Sequence, residues 1–295
     1  MNKKIDTAII PVAGLGTRML PATKAIPKEM LPVVDIPLIQ YIVEECYAAG
    51  IRNIIFVTHS SKNAIEDHFD LSFELETTLE KRVKRQILSE IQTIKPQDLT
   101  IMSVRQGHAK GLGHAILCAK NLVKNNPFAV VLPDVLINKY NCNLLKENLS
   151  EMVSLYNAKG IPQIMVEPVE YSEVEKYGIV GLNNNSNCIV NDLIEKPSAD
   201  KAPSNLSIVG RYILPAEILN ILEHTPVGAG DEIQLTDAIK VLLTTHEIHS
   251  YKLIGNSFDC GDKAGYFAAN IEYALKHPSL GNKFNNVLQN SLKNS

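Results

Sequence analysis

The sequence predicts an α/β protein whose largely parallel sheet carries helices on both faces. Three observations predict it. Short apolar runs alternate with amphipathic segments through the first half of the chain, the pattern of strand–helix–strand units. The first run, Ala8-Ile9-Ile10-Pro11-Val12, stops at a glycine turn, Gly14-Leu15-Gly16. A later run, residues 129–132, ends on Pro133-Asp134. Ligands of such sheets gather beyond the carboxyl ends of the strands, so the Gly14 loop and Asp134 are expected to meet at one edge.

In chain order, residues 9–12, 54–58, 100–104 and 130–132 read as strands, and 38–49, 62–69 and 115–122 as helices. Leu75, Leu79, Val83, Ile87 and Ile91 recur at every fourth position, which predicts one long helix. On it, Lys81-Arg82-Val83-Lys84-Arg85 reads as a solvated face, with a subunit contact as the alternative. The second half adds strands at 163–166, 179–181, 208–213 and 249–253 and helices at 215–222, 234–244 and 263–276. Asn183-Asn184-Asn185-Ser186-Asn187 reads as a hairpin tip. The chain after Gly281 is polar and is expected to be partly disordered.

With 45% hydrophobic and 21% charged residues among 295, the chain has the makings of a full globular core. A formal net charge of −3 argues against coating nucleic acid or a membrane surface, which needs a basic excess. The five cysteines are scattered, with no Cys-x-x-Cys pair, so they read as reduced cysteines of a cytosolic protein. Pro11 and the glycine turn interrupt the first apolar run before a signal-peptide core forms, and no run approaches the ~20 residues of a membrane helix. The expected location is therefore cytoplasmic.

The chemistry concentrates in residues 13–32. Glycines let the main chain approach a ligand closely, and Arg18, Lys24 and Lys28 follow at once to neutralise a polyphosphate. A dinucleotide fingerprint would need Gly where Met19 stands, and a P-loop would end in Gly-Lys-Ser/Thr, so neither fits. The bland alternative is a tight turn with a solvated basic edge. Asp134, at a strand end beside a triphosphate, is a natural Mg²⁺ ligand. Asp231 and Gln234 have the spacing of a helix capping box. His59, His108 and His114 lack metal-ligand spacing and read as structural.

Gly14-Leu15-Gly16-Thr17-Arg18, followed by Pro21-Ala22-Thr23-Lys24-Ala25-Ile26-Pro27-Lys28-Glu29-Met30-Leu31-Pro32, resembles the signature of the sugar-1-phosphate nucleotidylyltransferases. The likeness continues through Val104-Arg105-Gln106-Gly107, Lys110-Gly111-Leu112-Gly113-His114-Ala115, Leu132-Pro133-Asp134 and Glu195-Lys196-Pro197 to the run 228–238. Lys28-Glu29-Met30-Leu31-Pro32 is most similar to members that act on UTP and glucose 1-phosphate. The resemblance implies a Rossmann-like, mostly parallel mixed sheet flanked by helices, of the nucleotide-diphospho-sugar transferase type. It implies one domain over 1–284, with a nucleotide-binding half to about residue 135, a sugar-binding half beyond it, and a polar tail at 285–295.

The implied reaction joins UTP and α-D-glucose 1-phosphate into UDP-glucose and diphosphate by in-line attack, without a covalent intermediate and with Mg²⁺ as cofactor. By the same resemblance Arg18 and Lys28 face the triphosphate. Ala13, Gly14, Glu29, Gln106 and Gly111 bind the nucleotide, with Gln106 reading the uracil edge and Gly111 admitting the base to the main chain. Gly178 and Glu195 bind the sugar, and Lys196 holds its phosphate. Asp134 and Asp259 hold the metal; Asp259 also reads as a turn residue before Gly261. Asp262 reads as tolerated variation and not as a third ligand. A homodimer or homotetramer is implied. Two other readings stand beside this one: the same chemistry on dTTP or another hexose 1-phosphate, and a silent sugar-nucleotide sensor, which would lack Arg18, Asp134 or Lys196.

Overall fold

The computed structural model describes residues 3–293. Its strands are β1 (Thr7–Pro11), β2 (Pro32–Val33), β3 (Ile36–Pro37), β4 (Asn53–Thr58), β5 (Thr100–Arg105), β6 (Phe128–Val131) and β7 (Val135–Ile137). They continue with β8 (Gln163–Pro168), β9 (Gly178–Leu182), β10 (Val190–Glu195), β11 (Leu206–Leu214), β12 (His249–Lys252) and β13 (Ser257–Asp259). The helices are α1 (Leu38–Ala48), α2 (Asn63–Phe69), α3 (Phe73–Lys81), α4 (Arg85–Gln92), α5 (Leu112–Cys118) and α6 (Lys120–Val123). After them come α7 (Leu149–Lys159), α8 (Glu217–His224), α9 (Leu235–Leu242), α10 (Lys263–Lys276) and α11 (Gly281–Lys293).

Among the described residues nine strands form one mixed sheet, running β10-β9-β11-β6-β1-β4-β5, with β8 beside β11 and β12 beside β8. The block β6-β1-β4-β5 is parallel. Its inner strands β1, β4 and β6 are buried without alternation: Ile54, Ile55, Phe56 and Val57 are all fully buried, as a strand covered on both faces requires, while the edge strand β5 is partly exposed. One core packs Ile10, Ile54 and Phe56 with residues of α1 and α7. The other packs Ile9, Ile55 and Val57 with residues of α5, α8 and α9. β11 joins the parallel block to the second half, antiparallel to β6, β8 and β9. The Asn183–Asn187 run is the tip between β9 and β10, closed by Asn183 N–H donating to the Ile189 carbonyl at 2.9 Å.

Three expectations need correction. The fourfold apolar stripe does not make one helix. The chain reverses at Val83, whose φ is +55°, and Lys84 N–H donates back to the Leu79 carbonyl at 3.0 Å, closing α3. α4 then folds back on α3, with Gln92 Nε2 donating to Glu76 Oε2 at 3.0 Å. The basic tract lies exposed at this reversal. The polar segment after Gly281 is not irregular but forms α11, with residues 294 and 295 outside the described part. Asp231 and Gln234 form no capping box either: Gln234 is the N-cap of α9 without a side-chain cap bond, and Asp231 sits at φ +58°. The cap that does form is Asp262, whose Oδ2 accepts from Ala264 N–H at 2.9 Å and starts α10. No helix among the described residues is long and apolar enough to cross a membrane.

The register of β11 slips against β8 between Ile208 and Tyr212, and Gly210 in this bulge has φ +78°. A Cβ there would stand 2.8 Å from the Leu132 side chain. Gly210→Ala is expected to lose about 1–3 kcal/mol of stability through the forced left-handed backbone. A urea titration would read this as a lower midpoint at unchanged slope.

Candidate functional site

The parallel strands β1 and β6 are neighbours, so the loop after β1 and the turn after β6 emerge side by side. Val12 N–H continues the β1 ladder to the Val57 carbonyl, and the chain then leaves the sheet at Ala13-Gly14. Residues 17–30 follow as three single 3₁₀ turns, Thr17–Met19, Ala22–Lys24 and Lys28–Met30. Gly16, at φ +66°, folds this loop over Lys28: a Cβ at Gly16 would meet Lys28 Cβ at 3.2 Å. Thr23 Oγ1 ties the fold by donating to the Gly16 carbonyl at 2.7 Å.

The loop aims two cations at two carboxylates. Lys28 Nζ donates to Asp134 Oδ2 at 2.6 Å. Arg18, its side chain 62% exposed, stands 4.0 Å from Asp134 Oδ2 and 3.7 Å from Asp259 Oδ2. Asp259 arrives on β13, which pairs antiparallel with β7, the strand following Asp134. Gly261 N–H donates to Asp259 Oδ1 at 2.9 Å. Any Cβ on Gly261 would lie 2.8 Å from an Arg18 guanidinium nitrogen and 3.0 Å from an oxygen of each carboxylate. Arg18, Asp134 and Asp259 therefore crowd the space over Gly261.

Their titrations diverge. Burial pushes the Asp134 carboxyl up, but Lys28 and Arg18 outweigh it and hold the group below its ordinary value. Burial and the neighbouring Asp134 push Asp259 up, against the pull of Arg18.

A cavity of about 670 Å³ opens beside this cluster, and Arg18, Asp134 and Asp259 line it. Gly178, Glu195 and Lys196 line the same cavity. Glu195 ends β10, and Thr236 Oγ1 at the start of α9 donates to its Oε2 at 3.3 Å. Lys196 follows at φ +45°, with its ammonium 3.6 Å from Glu195 Oε1. A Cβ on Gly178 would stand 3.1 Å from Glu195 Oε2, so the glycine keeps this part of the cavity open.

Two expected nucleotide residues are buried and do not line this cavity. Glu29 turns inward, is fully buried, and takes Lys62 Nζ on Oε2 at 2.8 Å, while its Oε1 has no partner. Gln106 follows β5 and is buried; its Nε2 contacts the Gly111 carbonyl at 3.2 Å and His114 Nδ1 at 2.9 Å. His114 thus braces Gln106. Gly111, at φ +90°, is obliged to be glycine by Glu232 and Ile233: a Cβ would meet Glu232 Cβ at 2.6 Å and the Ile233 carbonyl at 2.9 Å. Backbone bonds lace these segments together, Gly113 N–H to the Ile233 carbonyl and Ile233 N–H to the Lys110 carbonyl, both at 2.9 Å.

Sequence reasoning passed over several groups at the site. Glu167 and Ser257 line the cavity, joined by a 2.6 Å hydrogen bond from Ser257 Oγ, and Tyr177 lines it beside Gly178. The signal for Ser257 was its position two residues before Asp259, on the same face of a strand.

The model of the nucleotidyl transferase family matches residues 7–276. The UTP–glucose-1-phosphate uridylyltransferase of Haemophilus influenzae is 56% identical over 291 residues, covering 97% of this chain and 99% of that one. The enzyme of the same name from Escherichia coli K12 is 56% identical over 297 residues, covering 99% and 98%. Among solved structures, a UTP-bound UGPase from Acinetobacter baumannii is 49% identical with a TM-score of 0.90, covering 97% and 99%. A UDP-glucose pyrophosphorylase complexed with UDP-glucose is 40% identical with a TM-score of 0.83, covering 92% and 100%.

Because the Asp134 carboxyl lies below its ordinary value of 3.8, it adds stability that is fully present above that pH and is lost as pH falls through the folded value. Lys28→Met removes its closest counter-charge and leaves burial to act. Carboxyl ¹³C NMR is expected to show Asp134 titrating at higher pH in the variant, with that stabilisation reduced.

Proposed function

The chain belongs to the nucleotidyl transferase family, in its group of bacterial UTP–glucose-1-phosphate uridylyltransferases, and on that premise we propose that it transfers uridylyl from UTP to α-D-glucose 1-phosphate. The observation that carries the reading is the cluster of Arg18, Lys28, Asp134 and Asp259 beside one cavity that Glu195 and Lys196 also line. A triphosphate needs cations, a sugar phosphate needs its own cation, and the two must meet in one cleft.

In this reading Lys196 holds the phosphate of glucose 1-phosphate and Glu195 accepts from sugar hydroxyls, with Gly178 leaving room for the ring. An oxygen of that phosphate attacks the α-phosphorus of UTP in line. A P–O bond to the sugar phosphate forms, the bond to the β-phosphate bridge breaks, and its electron pair leaves on diphosphate. Arg18 and Lys28 neutralise the charge on the departing diphosphate, which makes catalysis a matter of positioning and charge. Ala13, Gly14, Gln106 and Gly111 bind the nucleotide, with Glu29 near its base. On the base side Gln106 is held by Gly111 and His114, which orients its amide.

The donor set suits Mg²⁺. Asp134 and Asp259 both face the Arg18 guanidinium, and among the described residues no His, Cys or third carboxylate completes a cluster with them. Two carboxylates with the remaining places left to phosphate oxygens is the usual Mg²⁺ arrangement at a nucleotide site. Bound there, the ion would supply further charge neutralisation of the triphosphate. The reading extends to a single domain over 1–284, a cytoplasmic location and a homodimer or homotetramer; the free cysteines accord with a reducing compartment.

Release of diphosphate with glucose 1-phosphate is expected from UTP and not from dTTP, ATP, GTP or CTP, and EDTA should stop it. Asp134→Ala should lower kcat/KM about a hundredfold or more. Release from dTTP alone would keep the chemistry and overturn the base assignment. Tight UDP-glucose binding without release from any nucleotide would identify a sensor.

Lys196→Ala should act on the sugar side: a KM for glucose 1-phosphate raised about tenfold or more, as loss of a charge-assisted phosphate contact implies, with the KM for UTP nearly unchanged. Steady-state kinetics at saturating UTP would check it. An unchanged KM for the sugar phosphate would remove Lys196 from that role.

A further inference from the structure

Strand β11 carries one charged residue, Arg211, and buries it completely. The bulge at Gly210 turns this side chain toward α1, where Glu45 clasps it through two bonds: Nε to Oε1 at 2.9 Å and Nη2 to Oε2 at 2.6 Å. The remaining donors are not spent on the core. Nη1 donates to the Leu132 carbonyl at 3.2 Å and Nη2 to the Val135 carbonyl at 2.8 Å. Those two carbonyls bracket Pro133-Asp134. Leu132 N–H in turn donates to the Gly210 carbonyl at 2.9 Å, so the bulge is bonded directly to the same turn.

A buried ion pair is a weak device for stability, since desolvating both charges offsets much of their attraction. A planar fork with its donors at fixed angles is a strong device for geometry. Here the fork spans both ends of the turn that presents Asp134, and Glu45 fixes the fork from a rigid helix. We propose that Glu45 and Arg211 form a positioning pair that sets the Asp134 carboxylate for the metal-bound triphosphate, acting through the Leu132–Val135 carbonyls without touching substrate. The inference rests on the reading that Asp134 serves the triphosphate. Outer partners of this kind typically change metal affinity or activity 10–100-fold when removed.

The double variant Glu45→Met, Arg211→Met removes both buried charges at similar volume and leaves neither orphaned. Three readings are taken on it: the thermal midpoint, Mn²⁺ titration of the UTP complex followed by EPR, and kcat against KM for glucose 1-phosphate. The expected result is a folded protein with an undiminished midpoint, Mn²⁺ affinity and kcat both down about tenfold or more, and KM for the sugar phosphate nearly unchanged. Arg211→Lys keeps the charge for Glu45 but loses the fork, and should show a smaller loss in the same two quantities; it decides the matter if the double variant does not fold. Parental Mn²⁺ affinity and kcat in a folded variant would overturn the proposal and leave the pair as core filling. Asp134→Ala serves as control: if it too kept full release, the assignment of Asp134 would fail instead.

Discussion

One ion pair sets the terms for the site: Lys28 Nζ at 2.6 Å from Asp134 Oδ2. Both side chains are largely withdrawn from water, so removing either would leave an unbalanced charge in a poorly solvated place. To make the contact, the loop after β1 must double back over the edge of the sheet, which Gly16 permits by its left-handed backbone. Once Lys28 is fixed on Asp134, Arg18 reaches the gap between Asp134 and Asp259, over the backbone at Gly261. Gly16 is thus a consequence of where the charges sit.

The parts of this arrangement that are local in sequence could be read from it. The strand at β1, the glycine turn, the cations and Asp134 lie within a few residues of apolar runs, and the parallel-sheet rule alone brings them together. The second carboxylate lies on a three-residue strand paired with another three-residue strand more than a hundred positions away, β13 with β7, and no periodicity announces so short a ribbon. Gly111 shows a different limit. Its sequence context gives no sign that Glu232 and Ile233 stand where a Cβ would lie. The α3–α4 hairpin has the spacing of one helix because the reversal at Val83 keeps the apolar stripe in step while changing the direction of the chain.

Charge within the fold follows one habit: it enters the interior in pairs drawn from distant elements. Glu29 meets Lys62, and Glu45 meets Arg211. A lone arginine in the otherwise uncharged strand Leu206–Leu214 was a visible sign that a partner had to exist. Which glutamate answered it depended on the packing of α1 against the sheet, and nothing near Glu45 in sequence distinguishes it from Glu44. Glu44 instead accepts from Gln40 Nε2. Helical phase alone separates the two: Glu45 falls on the face that meets the core, beside Ile42 and Cys46.

The lacing of Lys110 and Gly113 to Ile233 has a consequence for how such a protein diversifies. Glu232 and Gln234 contribute to the wall of the cavity, while Gly111 carries the carbonyl that walls in Gln106. A single residue inserted or deleted between Gly228 and Gln234 would shift both walls at once. A change in the length of this segment therefore cannot reshape the cavity wall without also re-seating Gln106 in the same step.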